Sequence, residues 1–423
     1  MVRQTTQNVK LSTMKCIMTS LLIFLFPIKF IIGTLYFYGL EWISPILLYI
    51  EVALLGGGSI YACIHWTEFH LNKISKFFLI LYVIYFVFIY YQVIISPQMP
   101  RIIMQDVPEE NFVLFRDFLI QSLSIFLVLS YQKYIDFTLF AKITVILTFL
   151  TFFAYFNKVD FRFYGMLDIM DKKLVEEEHI ITSFRVAWYM VMAFFCGYSV
   201  KEKWSKFSII NIIIFYLCSL VFIVGLFLTI KRGPIFSFLA VCGLVFYFRY
   251  KKKMGLILLL CVCGILIFGS VFYDFLQDNA SGLVDRFLAI DEGGGSGRFG
   301  SDDSVFGTAL RQIKESPIMG SYFRLLRNGI IDKGDYPHNI LLELLMTGGL
   351  MLSVPFFVFF WKASKRGMKI LKNGGIQSLP ALCFFYVFLS LMTSSSLLFK
   401  MEFWVFLAIL CTYNVNKLKL KYE

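Results

Sequence analysis

Histidine is scarce in this chain, with four among 423 residues, and its nine cysteines never fall into C-x-x-C spacing. The tightest pair, Cys261 and Cys263, is separated by one residue inside an apolar run. Zinc-binding and redox patterns are therefore excluded, and the thiols read as small hydrophobes packed among apolar neighbours. No G-x-x-x-x-G-K sequence exists, so the run Gly293 to Gly295 carries no phosphate-loop signature and reads as a flexible connection. There is no internal repeat, no second soluble domain and no pair of Gly/Pro-broken spans of the kind transporters use. The basic N-terminus is followed by an apolar segment too long for a signal peptide and by no small-x-small cleavage site, so it reads as a first span.

Apolar surface is what the chain has in excess. Hydrophobic residues make up 58% and aromatics 18%, with a mean hydropathy of +0.73, whereas soluble domains are about half apolar. Runs of roughly 17 to 25 apolar residues, long enough to cross a bilayer, recur about twelve times, from Cys16–Tyr38 to Phe403–Val415. The expected fold is an all-α polytopic membrane protein of about twelve transmembrane helices. It forms a single integral membrane domain over 1–423, with one large loop, 273–337, between the ninth span (Met254–Phe272) and the tenth (Asn339–Trp361).

A net charge of +12 would suit nucleic acid if the cations shared one soluble face. Instead lysine and arginine crowd alternate connections, notably Arg249 to Lys253 and Lys362 to Lys372, on the side shared with the N-terminus. The positive-inside rule then makes both termini cytoplasmic and turns the 273–337 loop outward. The excess charge serves topology and lipid headgroups, with no nucleic-acid patch.

Charges inside spans cost roughly 2.5–3.5 kcal/mol each on insertion scales, so each needs a partner, an interface or a cavity. Lys29, Glu51, Arg116, Asp117, Lys142, Arg185 and Glu343 are such residues. Lys29 and Glu51, on neighbouring spans, are placed to pair. Arg185, a turn into the outer end of its span, either snorkels or meets substrate. In GLFLTIKRGPIF the outer turn between spans seven and eight holds Lys231 and Arg232, and Pro234 is expected as the first residue of the next helix. Two cations on so short an outward turn run against the inside bias and suit an anionic ligand.

Within the long loop, Ser304 or Asp303 caps a helix carrying Val305, Phe306, Ala309, Leu310 and Ile313 at helical spacing, and Pro317 stops it. SYFRLLRNGII reads as a second short helix with Arg324 and Arg327 on one face. Next comes GDYPHNILLELLMTGG, where Asp335 caps the tenth span and Pro337 places His338 in its first turn. The positive end of a helix disfavours imidazolium and attracts phosphate, so a neutral His338 suits a general base; the plain alternative is a histidine hydrogen-bonded at the interface. Arg298 in SGRFG, with Arg232 and Arg185 on the same side, favours the base. Asp302 or Asp303 is the alternative proton acceptor.

These residues together resemble the O-antigen polymerase and O-antigen ligase family of bacterial membrane glycan-transfer enzymes. The likeness lies in an outward loop between spans nine and ten holding SGRFG, a helix and ESPIMGSY, the last similar to the family's P-x-x-G. DYPHNILLELLMTGGL looks like its histidine, asparagine and E-x-G run, and KRGP like its arginine-glycine turn. The resemblance implies cofactor-free, metal-independent, inverting transfer of glycan from an undecaprenyl-diphosphate donor at the periplasmic face of the inner membrane. His338 would be the catalytic base, and Arg232, Arg298 and Arg185 would hold the diphosphate. Undecaprenyl-diphosphate-linked oligosaccharides, membrane lipids and a chain-length regulator protein are the implied partners. Polymerase is preferred, with ligase as the alternative and a polysaccharide transporter or flippase as a more distant one.

Overall fold

A computed structural model describes residues 2–36, 38–40, 42–64, 73–92, 107–158, 183–201, 204, 208–229, 232–250, 304–320, 326–327, 330–331, 337–393, 397 and 400–412. They are almost wholly helical: α1 Val2–Leu25, α2 Pro27–Tyr36, α3 Ile43–Ile64, α4 Lys73–Tyr90, α5 Val107–Tyr131, α6 Phe137–Lys158 and α7 Ser183–Val200. Beyond these lie α8 Ser208–Leu228, α9 Arg232–Tyr250, α10 Val305–Glu315, α11 Ile340–Asn373, α12 Leu379–Leu391 and α13 Met401–Thr412. Among the described residues, five helices are long and apolar enough to cross a membrane, or six when α1 and α2, bent by 45°, count as one span; α9, α12 and α13 are shorter apolar helices. This is an all-α polytopic membrane protein. The ninth expected span lies outside the described residues.

The expected second loop helix is replaced, at its described residues, by an antiparallel pair, β1 Leu326–Arg327 with β2 Ile330–Ile331, in which Leu326 faces Ile331. The physical reason stands in the sequence: Asn328-Gly329 between two short runs is the strongest local signal for a hairpin. Arg324 lies outside the described residues.

Two compact units make up the chain. The first comprises Met1–Leu54, Lys133–Ile290 and Lys369–Tyr386. Inside it Phe30 stacks on Tyr189 at 5.1 Å and Trp188 on Tyr386 at 5.2 Å. The Lys29 ammonium pairs with the buried Glu51 carboxylate at 3.4 Å, as the sequence suggested, and Lys142 lies over the Trp204 ring at 5.8 Å. Along α8, Ile209, Ile212, Ile213, Tyr216, Leu217 and Leu220 are exposed at helical spacing, a face for lipid.

The second unit comprises Leu55–Gln132, Asp291–Met368 and Val387–Glu423. Its centre is Trp404, fully buried among Tyr82, Tyr85, Phe356 and Phe403 at centroid distances of 4.9–5.9 Å. The loop helix α10 begins as expected. Ser304 is its N-cap, and its hydroxyl accepts from Gly307 N–H at 3.1 Å. Val305 and Ala309 bury against Met346 of α11, with Phe306, Ile313 and Leu342 at the edge of the same cluster.

After α10 the chain turns and lies against the backbone of α11. Leu350 and Met351 would normally donate to Met346 and Thr347, but Gly349, at φ 54° and ψ −155°, breaks the helical ladder. Their N–H groups donate instead to the carbonyls of Pro317 and Ile318, at 2.9 and 3.0 Å. The Thr347 carbonyl accepts from the Gln92 side-chain amide. The break is thus resupplied from outside the helix. A Cβ on Gly320, itself at φ 67°, would come within 2.6 Å of the Gly348 and Gly349 nitrogens. Only glycine permits so close an approach of two backbones.

Candidate functional site at the head of α11

His338 sits just before α11, which starts at Ile340. Asn339 is the cap: its Oδ1 accepts from Leu341 N–H at 3.0 Å and Leu342 N–H at 3.3 Å, and its carbonyl takes the first helical bond, from Glu343 at 2.9 Å. Asp335, the expected cap, lies outside the described residues. His338 is therefore moved out of the first turn to the residue preceding the cap, because Asn339 offers the side-chain oxygen nearest the open N–H groups.

The backbone of His338 has φ 49°, and no other non-glycine described residue has a positive φ. For an L-residue this region costs about 1–2 kcal/mol, and it persists where the surroundings over-determine it. Here they do. Pro337, before it, is buried. Asn339, after it, donates through Nδ2 to the Met392 carbonyl at 3.3 Å. One turn on, buried Glu343 receives the Tyr85 hydroxyl on Oε1 at 3.2 Å and the Leu397 N–H on Oε2 at 2.9 Å. The Leu397 carbonyl in turn accepts from Trp404 Nε1 at 3.1 Å. The half-buried imidazole thus rides on a mount fastened to α4, to the connection between α12 and α13, and to the central tryptophan.

The four site residues foreseen from sequence are distributed as follows. His338 belongs to the second unit. Arg185 is exposed in the first turn of α7 and Arg232 is the first residue of α9, both in the first unit. Because α9 starts at Arg232, Pro234 is its third residue and not its first; a missing N–H still costs nothing there, since the first turn has no acceptors to spare. Arg298 lies outside the described residues.

Residues 217–357 match a family model described as O-antigen ligase. The match spans about a third of the chain, and that part is similar to the O-antigen ligase family. The match includes Arg232, Ser304 with the α10 it caps, the Pro317–Gly320 turn, His338, Asn339 and Glu343; Tyr85, Met392, Leu397 and Trp404 lie outside it. No curated protein and no solved structure matches the chain.

Sequence reading missed three further residues. Glu343 was noted as a charge within a span and as part of the E-x-G likeness, but its role as the fastening of the histidine segment comes from partners 258 and 54 residues away. Lys400, in the connection between α12 and α13, is only 8% exposed; with Glu51 and Glu343 it is one of three buried charged side chains among the described residues. It lies three residues beyond Leu397. Gln312 of α10 is buried at 3% exposure, and its amide nitrogen and oxygen have no hydrogen-bond partner. The buried stripe Val305, Thr308, Ala309 and Gln312 shows the signal: two polar residues where the helical period calls for apolar ones.

Proposed function

We propose that the protein is an O-antigen polymerase, transferring glycan from an undecaprenyl-diphosphate donor to a lipid-linked acceptor repeat unit at the periplasmic face of the inner membrane. In this reading the acceptor hydroxyl attacks the anomeric carbon as His338 takes its proton. The carbon–oxygen bond to the diphosphate breaks, the configuration inverts, and the lipid diphosphate leaves as an anion. General-base assistance of this kind contributes roughly 10²- to 10⁴-fold in rate. Arg232 and Arg298, joined by Arg185, hold the diphosphate through paired N–H donors, and Lys400 adds a cation from the same unit as the histidine. Holding both lipid-linked partners at the membrane surface supplies the proximity.

The observation that carries the reading is the strained His338, fixed through Asn339 and Glu343, three residues of the segment that matches the family model. Asparagine tolerates a positive φ at least as well as histidine does, so His338→Asn is expected to insert and fold normally yet make no long glycan chains. Wild-type chain lengths from that variant would remove the base. Arg232→Lys and Arg298→Lys keep the charge but lose the planar fork, and a large loss of activity is expected from each.

A ligase that moves the chain to lipid A core is the second reading, favoured by the description of the matching family model. A deletion strain separates the two. Core carrying a single repeat unit means a lost polymerase, and finished chains stranded on undecaprenyl diphosphate mean a lost ligase.

A further inference from the structure

At the end of α11 opposite His338, the second unit contains a cavity of about 240 Å³ between α4, α11 and the end of α13. Three of its lining residues are cations: Lys73 at the start of α4, with Lys362 and Arg366 one turn apart on α11. None is acidic, and the remaining walls, Phe77, Val358 and Phe359 among them, are apolar. Arg366 is fixed at the wall by donating from Nη1 to the Cys411 carbonyl at 2.7 Å.

The arrangement is graded along the helix. From Val358 to Arg366 is about 12 Å of rise, with apolar side chains at one end and cations at the other. Between them Trp361 is 59% exposed, with Lys365 Nζ 4.7 Å from its ring centre. Tryptophan beside lysine marks the headgroup level of a bilayer. The cations therefore stand at headgroup depth, while Phe77 and Val358, 45% and 48% exposed, border the cavity at acyl-chain depth. A cationic end without a carboxylate and an apolar end open to lipid match a ligand that is anionic at its head and hydrocarbon below.

We infer that this cavity is a binding site for an anionic glycerophospholipid, its phosphodiester held by Lys73, Lys362 and Arg366 and an acyl chain lying along Phe77 and Val358. The site stands on the cavity's own geometry, independent of the transfer reaction. Basic pockets between membrane helices hold anionic headgroups in this way.

The test is native mass spectrometry of the full-length protein in detergent, with phosphatidylglycerol and phosphatidylcholine at equal concentration. Wild type is expected to retain phosphatidylglycerol preferentially. With about fivefold in affinity for each cation near a headgroup, Lys73→Gln with Lys362→Gln should weaken that retention about 25-fold, and arginine at both positions should restore it. Equal retention of phosphatidylcholine would overturn the inference. So would an unchanged adduct in the glutamine variant, preferential retention of undecaprenyl phosphate, or displacement by inorganic phosphate at matched concentration. Should the glutamine variant fail to fold, a photoreactive phosphatidylglycerol on wild-type protein decides. Adducts on 73–77 and 358–366 support the site, and adducts only elsewhere refute it.

Discussion

Glu343 illustrates how one carboxylate is afforded inside an apolar bundle. It stands in the first turn of α11, where the helix's positive end favours negative charge, and it receives two hydrogen bonds. Its removal would leave the Tyr85 hydroxyl and the Leu397 N–H without their acceptor, at about 1–3 kcal/mol for each orphaned donor. Glu343→Ala is thus expected to lower the unfolding temperature in detergent markedly and to loosen His338 along with it. Glu343→Gln, which keeps one acceptor oxygen, should recover most of the stability. Equal unfolding temperatures for wild type and the alanine variant would show that the fastening does not matter.

Among the elements, the Pro317–Gly320 turn against the break in α11 makes the sharpest prediction. Alanine at Gly320 meets backbone within 2.6 Å and must keep φ 67°. A left-handed alanine and an overpacked contact together cost about 2–5 kcal/mol, so Gly320→Ala should misfold or lose thermal stability by that order. A tolerated substitution would mean that the turn does not dock as described. The start of α6 offers a pH-dependent counterpart outside the spans. Asp136 Oδ1 accepts from Thr138 N–H and Leu139 N–H at 3.1 and 3.0 Å, and Oδ2 meets Lys15 Nζ at 2.7 Å. Burial alone would push this carboxyl up; the hydrogen bond and charge of Lys15 with the two N–H donors outweigh it and hold it below the ordinary aspartate value. A depressed carboxyl stabilises fully above its unfolded value, about 3.9, and loses that contribution as pH falls through its lower folded value. Asp136→Asn should flatten stability across that acid window, and Asp136→Ala should cost about 1 kcal/mol in capping. An unchanged acid profile in the asparagine variant would contradict the assignment.

How much of these elements could be read in advance depends on the range of the forces that make them. Ser304, Pro317 and the apolar spacing of α10 act within a turn or two, and the helix formed where they said. The Asn328-Gly329 hairpin signal is equally local, and it prevails over the three-residue spacing of Arg324 and Arg327 that suggested a helix. The fastening of His338 was illegible for a different reason: Tyr85, Met392 and Leu397 reach it only through packing, and no spacing in the sequence announces such partners.

For the whole molecule, hydropathy revealed the class, and charge predicts an orientation. The latter is directly testable. Alkaline phosphatase fused after Ile331 should be active, and a fluorescent protein fused after Lys372 should fluoresce. The reverse pattern would turn the molecule over and remove the periplasmic site. The division into two compact units had no signature in composition, because both are built from the same apolar helices.

About a dozen residues, or roughly 18 Å of rise, separate the break at Gly349 from the interfacial Trp361, while a hydrocarbon core is about 30 Å thick. With Trp361 at one headgroup level, the Pro317–Gly320 turn would lie within the apolar layer, where water cannot satisfy bare peptide groups. Its Pro317 and Ile318 carbonyls are taken by Leu350 and Met351, and the Ile318 and Met319 side chains are oily and well exposed. On the proposed orientation the segment after α10 would serve as a keel, set into the apolar layer beside α11.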